Sequence, residues 1–246
     1  MAPVPNQPGR GPRRVVLIVA GTIAALLVLV VAGIFVIHRI QGPSKPPLTL
    51  NASTGSATTA PTGSTNPAGP SSGSVEGTWK VTSGSQAGYR IKETLFGQSA
   101  TAVGRTSSVS GTIAIAGTDV SSGSFSVDLT TITSGRTQRD SQFQGRIMDT
   151  ASFPTATFKL TQPIHIGSLP ADGATVSEQA TGDLTMHGTT RSVTFGVAAK
   201  RSGTAIQVNG SIPVIFADYN IANPSGGPAT TEDHGTMEFL LNFTHA

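Results

Sequence analysis

The sequence contains no cysteine among its 246 residues. This absence excludes a disulfide framework, a thiolate zinc site, an iron–sulfur cluster and a cysteine nucleophile. Charged residues make up only 12% of the chain and aromatic residues 5%, whereas coiled coils and helical bundles are rich in Glu, Lys and Leu. The folded part must therefore be stabilised by its apolar core alone, and the composition argues against a helical bundle.

Acidic residues are absent from residues 1–75, which hold five basic residues. The other 11 basic residues and all 13 acidic residues lie in residues 76–246, whose net charge is therefore 11 minus 13, or −2. The formal charge of +3 for the whole chain thus originates near its N-terminus. Nucleic-acid binding by the folded part is not supported, because that function relies on a basic surface.

A long apolar run occupies residues 15–37, where Thr22 is the only polar side chain. As a helix these residues would span about 34 Å, enough to cross a hydrocarbon core of about 30 Å. A cleavable signal peptide would have a shorter apolar region, of about 7–15 residues, followed by a small-x-small cleavage site. The run instead ends in Phe-Val-Ile-His-Arg, so the sequence predicts an uncleaved, single-pass transmembrane helix.

The flanks of this run predict its orientation. Three arginines precede it within residues 1–14, and two basic residues follow it within residues 38–45. The excess before the run favours a cytoplasmic N-terminal tail, with the C-terminal part outside the cytoplasm and attached to the cell membrane. Small residues four apart within the run, such as Ala20 and Ala24, also permit a homodimer of such helices.

Residues 38–75 are predicted to be a linker between the membrane helix and a folded domain. From residue 42 onward they are almost entirely Gly, Pro, Ser, Thr, Ala and Asn, with the exceptions of Lys45, Leu48, Leu50 and Val75. Such a segment buries too little apolar surface to offset its ordering entropy, so we expect it to be disordered. As a tether it would have a mean span of about 30–40 Å.

From residue 76 onward, apolar residues alternate with polar or small ones. Phe125, Val127 and Leu129, for example, are separated by Ser126 and Asp128. This period of two predicts short strands with one apolar and one wet face, and so an antiparallel sandwich or barrel over residues 76–246. The period is interrupted at residues 134–148, where we expect a short helix over one end of the sheet.

Three arginines lie within 11 residues in this interruption: Arg136, Arg139 and Arg146. Their guanidiniums would suit a phosphate or pyrophosphate group. The alternative is a solvated helical turn in which Arg136 pairs with Asp140 at i,i+4. The residues alone leave both interpretations open.

The sequence offers no constellation typical of an enzyme or a metal site. Its histidines, His187 among them, are scattered, and none has the i,i+4 spacing of a helical zinc motif. A G-x-S-x-G pattern at residues 69–73 lies in the predicted linker, without the strand and helix that this nucleophile motif needs. We therefore expect no catalysis, no metal and no cofactor.

Several short motifs follow one another along residues 77–244. They include Gly-Thr-Trp-Lys-Val at 77–81, Arg139-Asp140, Ser-Phe-Pro-Thr-Ala-Thr-Phe at 152–158, Gly-Asp-Leu-Thr-Met-His-Gly-Thr-Thr-Arg at 182–191 and Gly-Thr-Met-Glu-Phe at 235–239. In this order and spacing they resemble the YceI-like family of bacterial polyisoprenoid-binding proteins. The resemblance implies a lipocalin-like, up-and-down antiparallel β-barrel of about eight strands, which would bind an isoprenoid or other long-chain lipid in an apolar pore.

Such a ligand would need an apolar lining and polar groups at the barrel mouth. For a polar head group we select Arg136, Arg139, Asp140 and His187. The expected pore lining is Tyr89, Ile91, Phe125, Val127, Leu129, Phe158, Leu160, Leu184, Met186, Phe195 and Phe216. Two other functions stay open at this point: a solid-core structural or interaction module of the cell envelope, and an enzyme acting on isoprenoid or quinone-type substrates.

Overall fold

The computed structural model describes residues 44–50, 74–226 and 229–246. The chain divides into two units, residues 1–44 and residues 45–246. Every described strand lies in the second unit. The predicted membrane helix at residues 15–37 and most of the predicted linker lie outside the described residues. In the described part of the chain, no helix is both long enough and apolar enough to cross a membrane.

The described residues form twelve strands, a short α-helix and two 3-10 helices at Leu129–Thr131 and Phe216–Tyr219. The strands are β1 Gly77–Val81, β2 Gln86–Leu95, β3 Gln98–Thr106, β4 Val109–Ala116, β5 Asp119–Asp128, β6 Thr155–Leu160, β7 Ile164–His165, β8 Thr175–Met186, β9 Thr189–Ser202, β10 Ala205–Ile215, β11 Ala229–Thr231 and β12 His234–His245. The helix, α1, is Thr137–Gln142, and a wider helical turn at Phe143–Ile147 continues it.

The strands close into a barrel because β12 pairs along both of its edges. One edge pairs with β10, and the other pairs first with β2 and then with β1. In the same way β3 and β4 share one position in the barrel, where β3 pairs with β2 and β4 with β1. The circle continues through β5, β6, β8 and β9 back to β10, always antiparallel. The predicted all-β, lipocalin-like barrel of about eight strands is therefore confirmed.

The predicted alternation determines which side chains face the interior. In β8, Ala180, Gly182, Leu184 and Met186 are buried, while the residues between them are more exposed. Neighbouring side chains of a strand point to opposite faces, so one face of each strand builds the core. The buried apolar residues form two clusters, one around Leu184 and one around Phe243.

The interruption of the period at residues 134–148 holds α1 and the turn that follows it, which confirms the predicted short helix. Phe143, at the start of that turn, is buried. Its ring stacks on Tyr89 of β2 with the ring centroids 5.0 Å apart. This contact places the helical segment against the inward face of β2.

Candidate functional site

Two adjoining chambers occupy the barrel interior. The apolar chamber has a volume of about 140 Å³, and the surface that lines it is almost entirely apolar. The mouth chamber has a volume of about 160 Å³ and lies between the barrel wall and the helical segment at residues 137–147. One water molecule needs a free volume of roughly 10–15 Å³. Both chambers are much larger than this, so neither is filled by side chains. The two chambers share the lining residues Ala87, Val127, Ala156 and Met237.

All eleven side chains expected to line a pore lie around these chambers. Val127 borders both. The apolar chamber is lined by Phe125, Phe158, Leu160, Leu184 and Phe195. The mouth chamber is lined by Tyr89, Ile91, Leu129, Met186 and Phe216. The barrel thus brings together residues that are more than a hundred positions apart in the sequence.

Strands β10 and β12 contribute lining residues that sequence reasoning did not select. These are Val208, Ile212, Met237, Phe239, Leu241 and Phe243. The signal was available, because within each strand these residues lie an even number of positions apart, as those of β5 do. Phe195 connects the two sides of the barrel wall: its ring centroid lies 5.3 Å from that of Phe158 and 6.0 Å from that of Phe239, both in edge-to-face contact.

An ion pair lies at the wall of the mouth chamber. A terminal nitrogen of Arg139 donates to Glu93 Oε1 across 2.6 Å, and the Glu93 side chain is 10% exposed. Glu93 faces inward because it follows Tyr89 and Ile91 at positions two apart on β2. Sequence reasoning missed Glu93, although the same register predicts that it faces the pore.

Tyr89 is the neighbour of this pair in the mouth chamber. Burial raises the pKa of Tyr89 to about 12, and the nearby Arg139 partly opposes that rise. The phenol is therefore protonated at neutral pH and presents a hydroxyl donor. Together, Arg139 and Tyr89 give the mouth chamber two polar groups that can donate to an oxygen atom.

Arg136 and Asp140 do not line either chamber. Asp140 accepts hydrogen bonds from the backbone N–H of Ser134 at 2.8 Å and from its hydroxyl at 2.5 Å, so its carboxylate fixes the turn before α1. Asp140 and Arg136 are joined through the main chain, since the N–H of Asp140 donates to the carbonyl of Arg136 across 3.0 Å. The third arginine of this cluster, Arg146, donates to the carbonyl of Pro224 at 3.1 Å.

His187 also lies outside the lining of both chambers. It occupies the turn between β8 and β9 with a φ of 47°, the left-handed region. Its Nδ1 is 3.0 Å from the carbonyl oxygen of Tyr219, and its ring centroid is 4.8 Å from that of Phe153. These contacts give His187 a role in fixing a turn.

Among the described residues, no group of three or more His, Asp or Glu side chains is placed to hold a metal ion.

The sequence identifies the family of this barrel. The family model of the YceI-like domain matches residues 79–243. The chain belongs to the YceI-like family. A search of curated proteins found no match.

Several solved structures share the fold of this YceI-like barrel, among them the following two. A polyisoprenoid-binding domain from Saccharophagus degradans, implicated in plant cell wall breakdown, superposes with a TM-score of 0.54 at 17% identity, over 68% of this chain and 98% of that one. BcnA from Burkholderia cenocepacia superposes with a TM-score of 0.52 at 20% identity, over 66% of this chain and 98% of that one. At these identities the likeness demonstrates a shared fold.

Proposed function

We propose that the YceI-like barrel binds an isoprenoid or similar long-chain amphiphilic lipid and catalyses no reaction. The observation that carries this proposal is the pair of adjoining, unfilled chambers enclosed by apolar side chains. The polyisoprenoid-binding domain from Saccharophagus degradans, which shares the fold, supports the same class of ligand. The interior suits a slender chain, because each CH₂ group moved from water into it would contribute about 0.8 kcal/mol.

The polar end of the ligand would lie in the mouth chamber. Arg139 and Tyr89 both line it, and each can donate to a phosphate, hydroxyl or carbonyl oxygen. Arg139 already holds Glu93, so an anionic head group would compete with that carboxylate or share the guanidinium with it. This site favours a lipid with an oxygen-bearing head over a plain hydrocarbon.

The tether and the location of the barrel follow from the sequence alone. Residues 15–37 have the length and composition of a membrane helix, and the basic residues within 1–14 favour a cytoplasmic N-terminus. The barrel would then take up and release lipid at the outer side of the cell membrane. A solid-core interaction module is the less suitable alternative, because the two chambers are not filled by side chains.

The test is to purify the full chain in mild detergent, extract it with organic solvent and identify the extracted lipids by mass spectrometry. We expect a long-chain lipid in a fixed ratio to protein. A preparation that is reproducibly free of lipid, and that takes up no added isoprenoid, would overturn the proposal in favour of an interaction module.

A further inference from the structure

A buried ion-pair cluster lies on the outer wall of the barrel. Arg105 donates to Glu238 Oε1 through Nε at 2.9 Å and through a terminal nitrogen at 2.6 Å, while Nε of Arg90 donates to Glu238 Oε2 at 3.3 Å. Glu238 lies on β12 between the inward-facing Met237 and Phe239, so its side chain points outward. An outward carboxylate that is only 5% exposed must be covered from outside the barrel.

Residues 45–50 provide that cover, and we call them the strap. Arg90 donates to the carbonyl of Lys45 at 2.8 Å, and Arg105 donates to the carbonyl of Pro46. Further along, the N–H of Leu48 donates to Glu238 at 3.4 Å, and the carbonyl of Leu48 accepts from the side-chain amide of Asn209 at 3.2 Å. The strap therefore crosses from β2 and β3, over β12, to β10.

The sequence of the strap suits an extended segment on this surface. Proline fixes φ near −65° and disfavours the helical region for the residue before it, so Lys45, Pro46 and Pro47 favour an extended chain. The two prolines have no N–H, so they bring no unsatisfied donor to the surface while their carbonyls remain free to accept from arginine. Leu48 and Leu50 are half-buried, and Thr49 between them is exposed. This alternation is that of an extended segment with one side against the barrel and the other facing solvent.

We propose that this outer wall is a docking site for the chain's own residues 45–50, and that it keeps the barrel close to the membrane surface. The membrane part rests on the proposed function, in which residues 15–37 are the anchor. Seven residues, 38–44, separate that run from the strap, and fully extended they reach about 25 Å at most. The 26 residues 51–76 connect the strap to β1, so while the strap is docked they add nothing to the distance between barrel and membrane.

The chain has no cysteine, so spin labels can be attached to two introduced ones. In the full chain in detergent micelles, Thr49→Cys in the strap and Ser202→Cys on β9 place labels at two exposed positions. Pulsed electron–electron double resonance should give one narrow distance distribution. Leu48→Pro removes the N–H that donates to Glu238 and leaves the barrel unchanged, and it should replace the narrow distribution with a broad one.

Two further variants complete this measurement. Arg105→Gln should also broaden the distribution, because it removes the donor to Pro46, whereas Lys92→Gln, an exposed position on β2, should leave it narrow. A broad distribution in the unsubstituted strap, or a narrow one in Leu48→Pro, would overturn the docking site. The outcome is independent of lipid: a narrow distribution in a barrel that binds no lipid would refute the proposed ligand and leave the strap in place.

The distance between the barrel and the membrane is measured with the full chain in phosphatidylcholine–phosphatidylglycerol vesicles. A donor fluorophore on Ser202→Cys should transfer energy to a head-group acceptor dye, and Leu48→Pro should lower the transfer efficiency because it frees residues 45–73 to extend. Equal transfer in both proteins, or none in either, would overturn the part of the proposal that concerns the membrane.

Discussion

The guanidinium of Arg139 holds the carboxylate of Glu93 at 2.6 Å on the wall of the mouth chamber. Arg136, three residues earlier in the same cluster, does not line that chamber. The two arginines are therefore not equivalent, although the sequence gives no reason to separate them. Substituting each in turn separates a role in head-group binding from a general effect of positive charge.

Arg139→Ala should weaken the binding of an isoprenoid phosphate about tenfold, the effect of losing one charge-assisted hydrogen bond of about 1.5 kcal/mol. Binding of a plain long-chain hydrocarbon should change much less, because it has no group for the guanidinium. Titration of both ligands by fluorescence or calorimetry measures the difference. Arg136→Ala is the matched control and should leave both affinities unchanged; an equal loss in the two variants would remove Arg139 from the head-group site.

Ala156→Leu should reduce the binding of long lipids. Ala156 is 2% exposed and borders both chambers, so a larger side chain there narrows the passage between them. Native mass spectrometry of the purified protein measures the lipid that remains bound, with Ser192→Leu, an exposed position on β9, as the control. Thermal unfolding of both variants separates a blocked pore from a damaged fold, and full lipid occupancy in folded Ala156→Leu would contradict a continuous pore.

The stability of the barrel should fall as the pH rises from about 10 towards 12. Burial raises the folded pKa of Tyr89 from 10.0 to about 12. Its contribution is fully present below pH 10 and is lost as the pH rises to the folded pKa, because over this range the phenol ionises in the unfolded chain but stays protonated in the folded one. The difference in pKa corresponds to about 2–3 kcal/mol. Denaturant unfolding at pH 8 and pH 11 should show a smaller pH-dependent loss in Tyr89→Phe. Tyr219, whose pKa is also raised by burial, contributes in the same direction, so Tyr219→Phe is the comparison variant.

His187→Ala should lower the free energy of unfolding by about 1 kcal/mol, because it removes the hydrogen bond to the carbonyl of Tyr219. Lipid occupancy should be unchanged, since the side chain lies outside the lining of both chambers. Chemical denaturation and mass spectrometry of the bound lipid measure the two effects. Loss of lipid at unchanged stability would instead support the prediction from the sequence that His187 binds the head group.

The apolar lining of the two chambers could be predicted from the sequence because a single rule assigns it. A period of two assigns inward residues without knowledge of which strands are neighbours, and so Phe125, Phe158 and Phe195 could be selected although they lie on β5, β6 and β9. The polar part of the site depends on something else. Arg139 lies in α1 and reaches the chamber, whereas Arg136 precedes the helix and does not. This difference depends on how the helical segment packs on β2, where Phe143 stacks on Tyr89, and no local sequence pattern predicts that packing.

The docking of the strap could not be predicted from the sequence for a second reason. Its composition is that of a disordered linker, and the groups with which Lys45, Pro46 and Leu48 accept hydrogen bonds from the barrel are main-chain carbonyls, which every residue has. The local signal is small: Leu48 and Leu50 are among the few apolar residues in this stretch and lie two apart. The residues that bind the strap, Arg90, Arg105 and Glu238, come together on the outer wall only when β2, β3 and β12 are paired.

The pairing of β12 along both edges affects how the domain is made. Synthesis proceeds from the N-terminus, so β12 leaves the ribosome after every other described strand. Until it does, β10 on one side and β1 and β2 on the other have unpaired edges, and neither chamber has its full wall. A nascent chain thus has no finished pore in which to trap a lipid, so a lipid can be enclosed only after β12 has taken its place between β10 and the β1–β2 edge.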